Sequence, residues 1–390
     1  MSSMNRKFGL FGIVVLMAFA LVAPELVFAQ AGGSAVPFLL IAPNARADGM
    51  GESGVGLADD AAAIHWNPAG LAFQRGREVS LTHSNWLPQF QQSDLFYDYA
   101  AGKMYLEDIG GTVSGSITYL NLGDFVETTN DPTPLRTFKA YEIAVTGGFA
   151  TQVFEDFGVG LNLRYIRSSL APFDVQQQGR EGVANTVSFD IGMLWRPTNL
   201  VLPFLGDIED RFSVGLNLSN LGPKVTYIDA AQADPLPTNL AIGLGFKLLK
   251  SEYNNVNFAL DFNRLLIRRY PEIKDYIYDG NGDIIDSTVQ DPYVDDLPKS
   301  LITTWQQDNV WKNFTVATGI EYWYGAPKLI ALRWGYFYEA PDNGNRKFMT
   351  FGAGIRYSIF GFDFSYLSTI EENHPLGETL RFTLMVRDEE

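Results

Sequence analysis

Alternation of apolar and small or polar residues, sustained over unusually long runs, constrains this chain more than any other feature. Phe157, Val159, Leu161, Leu163 and Tyr165 interleave with Gly158, Gly160, Asn162 and Arg164. Leu240, Ile242, Leu244 and Phe246 interleave with Ala241, Gly243, Gly245 and Lys247, and the pattern returns at 212–219, 256–263, 360–366 and 380–386. Successive side chains of a strand point to opposite faces, so each run is a strand with one apolar face. A soluble sandwich also alternates. Two details favour a membrane barrel instead. The runs reach about 9–12 residues, the length that crosses a bilayer when tilted, whereas soluble strands cluster near 5–6. The second face is rich in Gly, Ser, Asn, Asp and Arg, as a wet or plugged lumen allows. Several runs end in aromatics such as Trp195, Trp323 and Trp334, as interfacial girdles do.

The expected fold is all-β, a transmembrane barrel of about fourteen antiparallel strands. They lie near 77–85, 93–102, 111–120, 138–152, 156–168, 184–196, 211–219, 238–249, 255–265, 313–324, 328–338, 346–357, 360–369 and 378–387. An even count puts both termini on one rim, the periplasmic one in bacterial barrels. Long connections near 121–137, 169–183, 220–237 and 266–312 then become outer loops, and most of the intervening connections are short turns. The exception is 197–210, whose Leu200-Val201-Leu202 and Phe204-Leu205 are expected to pack as a small helix.

The N-terminus agrees with export. Arg6 and Lys7 precede an apolar run from Phe8 to Ala23, and Val27-Phe28-Ala29 offers a cleavage site after Ala29, with Ala31 a second option. Residues 1–29 therefore read as a signal peptide. The chain has no Cys, so it is neither a lipoprotein nor a disulfide scaffold. No later stretch carries the ~18 apolar residues of a spanning helix. The net charge of −16 argues against a nucleic-acid partner. Residues 30–75 do not alternate; they are Gly- and Ala-rich, and are expected to form a hatch inside a barrel of residues 76–390. Within them Asp59-Asp60-Ala61-Ala62-Ala63 suggests a capped short helix ended by Asn67-Pro68.

These same residues carry a resemblance. The string Ala45-Arg46-Ala47-Asp48-Gly49-Met50-Gly51, then Gly54-Val55-Gly56, Asp59-Asp60-Ala61 and Ile64-His65-Trp66-Asn67-Pro68-Ala69, resembles the start of the PorV family. Members are outer-membrane components of the type IX secretion system of Bacteroidetes, within the wider FadL-like group of fourteen-stranded barrels. Pro37–Pro43 and Asn85-Trp86-Leu87-Pro88 extend the likeness; beyond residue 90 it is one of pattern and length. The resemblance implies a non-enzymatic role. It implies a protein that binds the C-terminal signal domain of cargo emerging from a secretion translocon. Delivery to a PorU-like surface peptidase, for anchoring to lipopolysaccharide, would follow. Asp59, Asp60, His65, Trp66, Asn67, Pro68 and Ala69 are the family motif in this chain.

Other constellations read ambiguously. Three histidines are too few and too scattered for a His-rich metal site. His65 sits beside Trp66, and His83 precedes Ser84 with no identifiable carboxylate partner and no G-x-S-x-G elbow. Asp279, Asn281 and Asp283 stand at positions 1, 3 and 5 of a calcium-like loop, but Ile284 and Gln290 replace the usual Gly and Glu. Asp275, Asp291, Asp295 and Asp296 flank it and could supply charge; the other reading is a solvated turn. Apart from this possible calcium site, no cofactor is expected. The loop around it, with Arg268, Arg269, Tyr270, Tyr276, Tyr278 and Tyr293, is a candidate partner-binding surface. Arg264, Arg268 and Arg269 either contact lipopolysaccharide phosphates or balance the acidic loop. Arg164, Asp190, Asp261, Glu321, Arg333, Asp363 and Arg381 fall on lumen faces, where pairing with each other and the hatch is expected. The competing function is a FadL-like transporter of long-chain fatty acids or other hydrophobic small molecules.

Overall fold

The computed structural model describes residues 33–390 except 91–93, 129–133, 175–180, 200, 203–205, 208–209, 230–231, 271–272, 279–283, 291–292, 308–309, 372–373 and 389–390. Fourteen strands form one closed antiparallel barrel. They are β1 Arg77–Asn85, β2 Phe96–Leu106, β3 Gly111–Glu127, β4 Arg136–Phe154, β5 Phe157–Asp174, β6 Glu181–Trp195 and β7 Phe212–Leu221. The rest are β8 Asn239–Lys250, β9 Asn254–Leu265, β10 Thr315–Tyr324, β11 Ile330–Tyr338, β12 Lys347–Tyr357, β13 Phe360–Thr369 and β14 Thr379–Asp388. Closure pairs the first strand with the last, Arg77 opposite Asp388 and Ser84 opposite Arg381. Both ends of the barrel sequence thus meet at one rim, here the terminal rim; the long connections crowd the other, the loop rim.

Strand number and order match the alternation; lengths differ in places. β2 begins at Phe96 rather than 93, and β3 to β6 run several residues further towards the loop rim than expected. The presumed loops near 121–137 and 169–183 are therefore partly ladder: Asp124 pairs with Lys139 and Val126 with Thr137. Apolar and polar side chains are mixed on both faces of these extensions, as in Asp124 and Val126 on one and Phe125 and Glu127 on the other, so a search for apolar periodicity misses them. Backbone hydrogen bonding beyond a membrane band needs no apolar face. Among the described residues of the 197–210 connection there is no helix; Val201–Leu202 pairs instead with Gly206–Asp207, and the expected Leu200, Phe204 and Leu205 lie outside the described residues. The 266–312 connection has structure of its own. Arg269–Tyr270 pairs with Tyr293–Val294, Ile273–Tyr278 pairs with Ile284–Gln290, and Leu297–Thr303 is a helix.

The outward faces are apolar and exposed: Leu161, Leu163, Phe189 and Leu384 each leave more than half their surface open. So much contiguous apolar area suits lipid rather than water. Rings gather at both rims. Trp195, Phe212 and Phe246 contact one another edge-on at the terminal rim, and Phe96, Tyr119 and Tyr141 form a row towards the loop rim. Among the described residues no helix is long and apolar enough to cross a membrane.

Residues 33–75 fill the lumen with short turns: 3-10 helices Pro37–Leu40 and Pro68–Phe73, and α-helical turns Ala45–Asp48 and Ala63–Trp66. The last begins later than the acidic pair suggested, because Asp60 spends a carboxylate oxygen on the Ala62 amide before the helix starts. Asn67 is extended and ends the turn, its side chain accepting the Ala69 amide at 3.1 Å. Ala61, Ala62, Ala63, Ile64 and Leu71 pack against Tyr97, Tyr99, Ala144, Ala150 and Ile166 of the wall. Small residues let backbone meet backbone. Gly51, at φ +70°, lies against Gly335 of β11, where a Cβ would fall on the Gly51 amide and the Met50 carbonyl carbon. Gly335→Val is expected to block folding of the closed barrel. Loss of the compact, heat-modifiable band in cold SDS gels is the readout, and a normal band would refute the contact.

Candidate functional site

The chemistry-bearing residues form three tiers along the barrel axis. The lowest clamps the N-terminal segment to the wall. Arg46 donates bidentately to Glu321 of β10, at 2.8 and 2.9 Å, and also reaches Asp59 at 2.6 Å and Asp60 at 3.2 Å. Glu321 further accepts Arg333 and Asn257, both at 2.9 Å, and Arg333 continues to Asp363, which Arg356 also holds. Asp48 pairs with Arg381 and accepts Ser365. Asp261 accepts the amides of Gly54 at 2.6 Å and Val55 at 2.8 Å, and Glu78 accepts Ala61 at 2.9 Å. On the opposite wall, Asn162 donates to the Ile64 carbonyl, Asn217 to that of Trp66, and Asn67 to that of Met193. The expected lumen charges are thus brought together: Arg164 with Asp190 at 2.7 Å, Arg333 with Glu321 and Asp363, and Asp261, Glu321 and Arg381 with the N-terminal segment. Burial alone would raise the Asp59 carboxyl, but Arg46 outweighs it and holds the group at about 2. Burial carries Asp60 up to about 6 against the pull of the same guanidinium.

Above the clamp lies a cavity of about 270 Å³ facing the loop rim, floored by Glu52, Val55, His65 and Trp66. Its walls carry the amides of Asn217, Asn220, Asn239, Asn263, Asn313 and Asn343. His65 packs edge-on against Trp66, ring centres 5.0 Å apart. Burial and the Arg164 charge depress its imidazole to about 3, so it stays neutral at ordinary pH. Trp66 donates its indole N–H to Asn44 at 3.0 Å. Burial lifts Glu52 to about 7, with Arg346 pulling the other way. A carboxyl so raised costs the fold nothing below its ordinary value near 4.5. The cost accrues as pH rises from about 4.5 to about 7, where the unfolded chain ionises and the folded one does not, and is fully present above 7. Glu52→Gln is therefore expected to raise the gel unfolding temperature at pH 8 and leave it unchanged at pH 4. An equal effect at both would place the cause elsewhere.

The uppermost tier is the 266–312 connection, whose base is stapled shut. Tyr270 stacks on Tyr293 with centres 4.3 Å apart and planes 12° from parallel, and the Arg268 guanidinium lies 5.0 Å over the Tyr270 ring. Arg269 donates to the Gly33 carbonyl and to Asp234 at 2.7 Å, joining three segments. Asp295 receives Lys299 at 2.6 Å, Thr303 at 2.7 Å and Tyr270 at 3.2 Å, while Asp296 meets Lys224 at 2.9 Å.

Several expectations change here. Arg264 is buried, donating to the carbonyls of Thr304 and Val310 beneath Trp305, so it cannot reach lipid phosphates. The alternation that put Arg264 at an outer end says nothing of the segment folded over it. Asp295 and Asp296 are committed to cations and hydroxyls, not to a calcium loop. Asp279, Asn281 and Asp283 lie outside the described residues, as do the side chains of Tyr276 and Tyr278. Among the described residues, no group of three or more His, Asp or Glu is placed to hold a metal. His83 does have a carboxylate partner, Asp98 at 2.7 Å, one strand away. Ser84 nevertheless points into the barrel and donates to the Leu380 carbonyl, while His83 points out, so adjacent residues sit on opposite faces and form no triad. Sequence reasoning gave Arg46 no role. It is the one cation in the Gly- and Ala-rich stretch between Ala45 and Leu71, thirteen residues before an acidic pair, and that was the available signal.

The fold and its plugged lumen define an outer-membrane β-barrel of the FadL-like kind. The Ralstonia pickettii toluene transporter TbuX shares the fold at 12% identity and a TM-score of 0.50, covering 89% of this chain and 98% of that one. The Pseudomonas putida toluene transporter TodX does so at 12% identity and 0.50, covering 89% and 99%. The sequence matches the family described as Type IX secretion system protein PorV over residues 29–272, and the chain belongs to that family. It is accordingly an outer-membrane component of the type IX secretion system. No curated protein matches it.

Proposed function

We propose that this protein captures cargo at the cell surface and passes it on without catalysing a reaction. The loop rim faces outwards and both termini face the periplasm, after removal of residues 1–29. Residues 30–75 are a hatch, and residues 76–390 are the barrel that holds it. Cargo arriving from the secretion translocon is recognised by its C-terminal signal domain on the loops around Arg268, Arg269, Tyr270, Tyr276, Tyr278 and Tyr293. It is then delivered to a PorU-like surface peptidase for attachment to lipopolysaccharide. The observation that carries this reading is the family match; the stapled loop base at Tyr270 and Tyr293 supports the choice of surface. A neutral, half-buried His65 and the split faces of His83 and Ser84 supply no catalytic base beside a nucleophile.

Transport of hydrophobic molecules fits less well. The cavity mixes Asn amides and charged groups with Leu39, Leu265, Ile267 and Phe337, and the segment below it is bonded to the wall at Asn162, Asp261 and Glu321. Isolation of the tagged protein from its native membrane is expected to bring down cargo bearing the signal domain, or the translocon. Deletion should leave that cargo in the periplasm. Recovery of neither, together with lost fatty-acid uptake, would favour the transporter.

A further inference from the structure

The barrel wall is not level. β3, β4, β5 and β6 run to Glu127, from Arg136, to Asp174 and from Glu181, whereas β7 stops at Leu221 and β8 starts at Asn239. The last cross-strand pair between β6 and β7 towards the loop rim is Phe189 with Leu221. Beyond it the chain leaves the wall at Gly222 and turns inwards: Tyr227 donates to Ser168 at 2.9 Å, and Val225 and Leu236 join the interior cluster with Ala184. Residues 182–188 of β6 keep their ladder to β5, from Val183 opposite Ser169 to Ser188 opposite Arg164, but have no strand partner on the β7 side among the described residues. Four strands thus stand above the rest as a free sheet, its inner face backed by the 222–238 segment.

A sheet this shape has two open edges, and they are unequally defended. At β3, residues 122–127 extend past the end of β2; that edge carries a bulge at Asn121/Gly123, Gly123 at φ +90°, and the charges of Asp124 and Glu127. Those are the devices by which natural proteins keep foreign strands away. Residues 182–188 of β6 read Gly-Val-Ala-Asn-Thr-Val-Ser, with no Pro and no charge. The register shifts only at its two ends, at Gly182/Val183 against β5 and at Phe189/Ile191 against β7, where Gly222 lies against the Val187 carbonyl. Such a row of backbone donors and acceptors, roughly 20 Å long at ~3.3 Å per residue, is complementary to an extended polypeptide backbone. The outward neighbours Val183 and Val187 favour alternate apolar residues in that strand.

We infer that the open edge of β6, residues 182–188, accepts a strand of the cargo signal domain, which extends the sheet where β7 ends. This rests on the cargo-binding reading above and names the bonds by which capture occurs. The full barrel in detergent is mixed with an isolated cargo signal domain, and amide exchange is followed by mass spectrometry. Peptides covering 182–188 should exchange quickly alone and slow by about tenfold or more in the complex. Because the chain has no cysteine, Asn185→Cys gives a single thiol. Single cysteines walked along the cargo domain should form disulfides with it at every second position of one segment, as a strand requires. A complex that forms without protection at 182–188, or that cross-links without that period, overturns the inference and leaves cargo binding standing. Absence of any complex overturns the cargo reading and takes this inference with it. Cross-linked Asn185→Cys homodimers in the absence of cargo would assign the edge to a second copy instead.

Discussion

Arg46→Ala is expected to loosen the hatch and make the outer membrane leaky. The guanidinium touches Asp59, Asp60 and Glu321 together, and Glu321 is fully buried. Removing one partner of a buried pair typically costs about 3–5 kcal/mol, chiefly because charge is left without compensation. Glu321 keeps Arg333, so the deficit falls on Asp59 and Asp60 of the segment inside the barrel, and solvent offsets part of it because the Asp59 side chain is 37% exposed. The strands should persist while residues 45–60 detach from the wall. Higher conductance in planar bilayers, and sensitivity of cells to large antibiotics, would report it. Arg46→Lys keeps the charge but loses the two-pronged contact, so it should fall between. Unchanged conductance in the alanine variant would show that the clamp is redundant.

The second large effect is expected from removing residues 271–292. Tyr270 and Tyr293 are direct cross-strand partners, so an Asn-Gly turn can join them and leave the stacked rings, Asp295 and the helix Leu297–Thr303 in place. The barrel should fold and insert as before, with an unchanged gel unfolding temperature. If this arm touches cargo, the shortened protein should bind the signal domain at least tenfold more weakly, a difference of about 1.4 kcal/mol. Tyr270→Ala, which unpicks the staple without shortening the chain, should weaken binding less. Full binding by the shortened protein would move the cargo site off this loop.

What the sequence discloses follows from where periodicity is enforced. Within a bilayer, each outward position must be apolar, so 157–165 and 240–246 announce themselves, and strand count and order can be read directly. Past the apolar band that requirement lapses. The extensions of β3 to β6 left no trace in alternation; residues 184–188 read as strand, but nothing in the sequence shows that the neighbouring strand stops short of them. Lumen charges were legible as a set, since ionised side chains at inward positions must find partners. Their pairing was not, because Arg46 meets Glu321 across hundreds of residues of chain. Arg264 misled for a related reason: its position was right and its covering by the Thr304–Asn313 region was invisible. His83 and Asp98 show the same limit on a smaller scale, being joined by register rather than by spacing.

The seam between β1 and β14 orders events in time. Val79 must find Val386, and Leu81 Leu384, the two ends of the barrel sequence, so ring closure cannot precede synthesis of the last strand. The segment inside is ahead of β1 in the chain and is bonded to the wall at Glu78, Asp261, Glu321 and Arg381. Its docking and closure of the wall are therefore coupled, because its bonds reach β1 and β14 on either side of the seam as well as β9 and β10. Contacts this distant in sequence are slow to form, which puts the rate of biogenesis in the hands of whatever holds the unclosed sheet open.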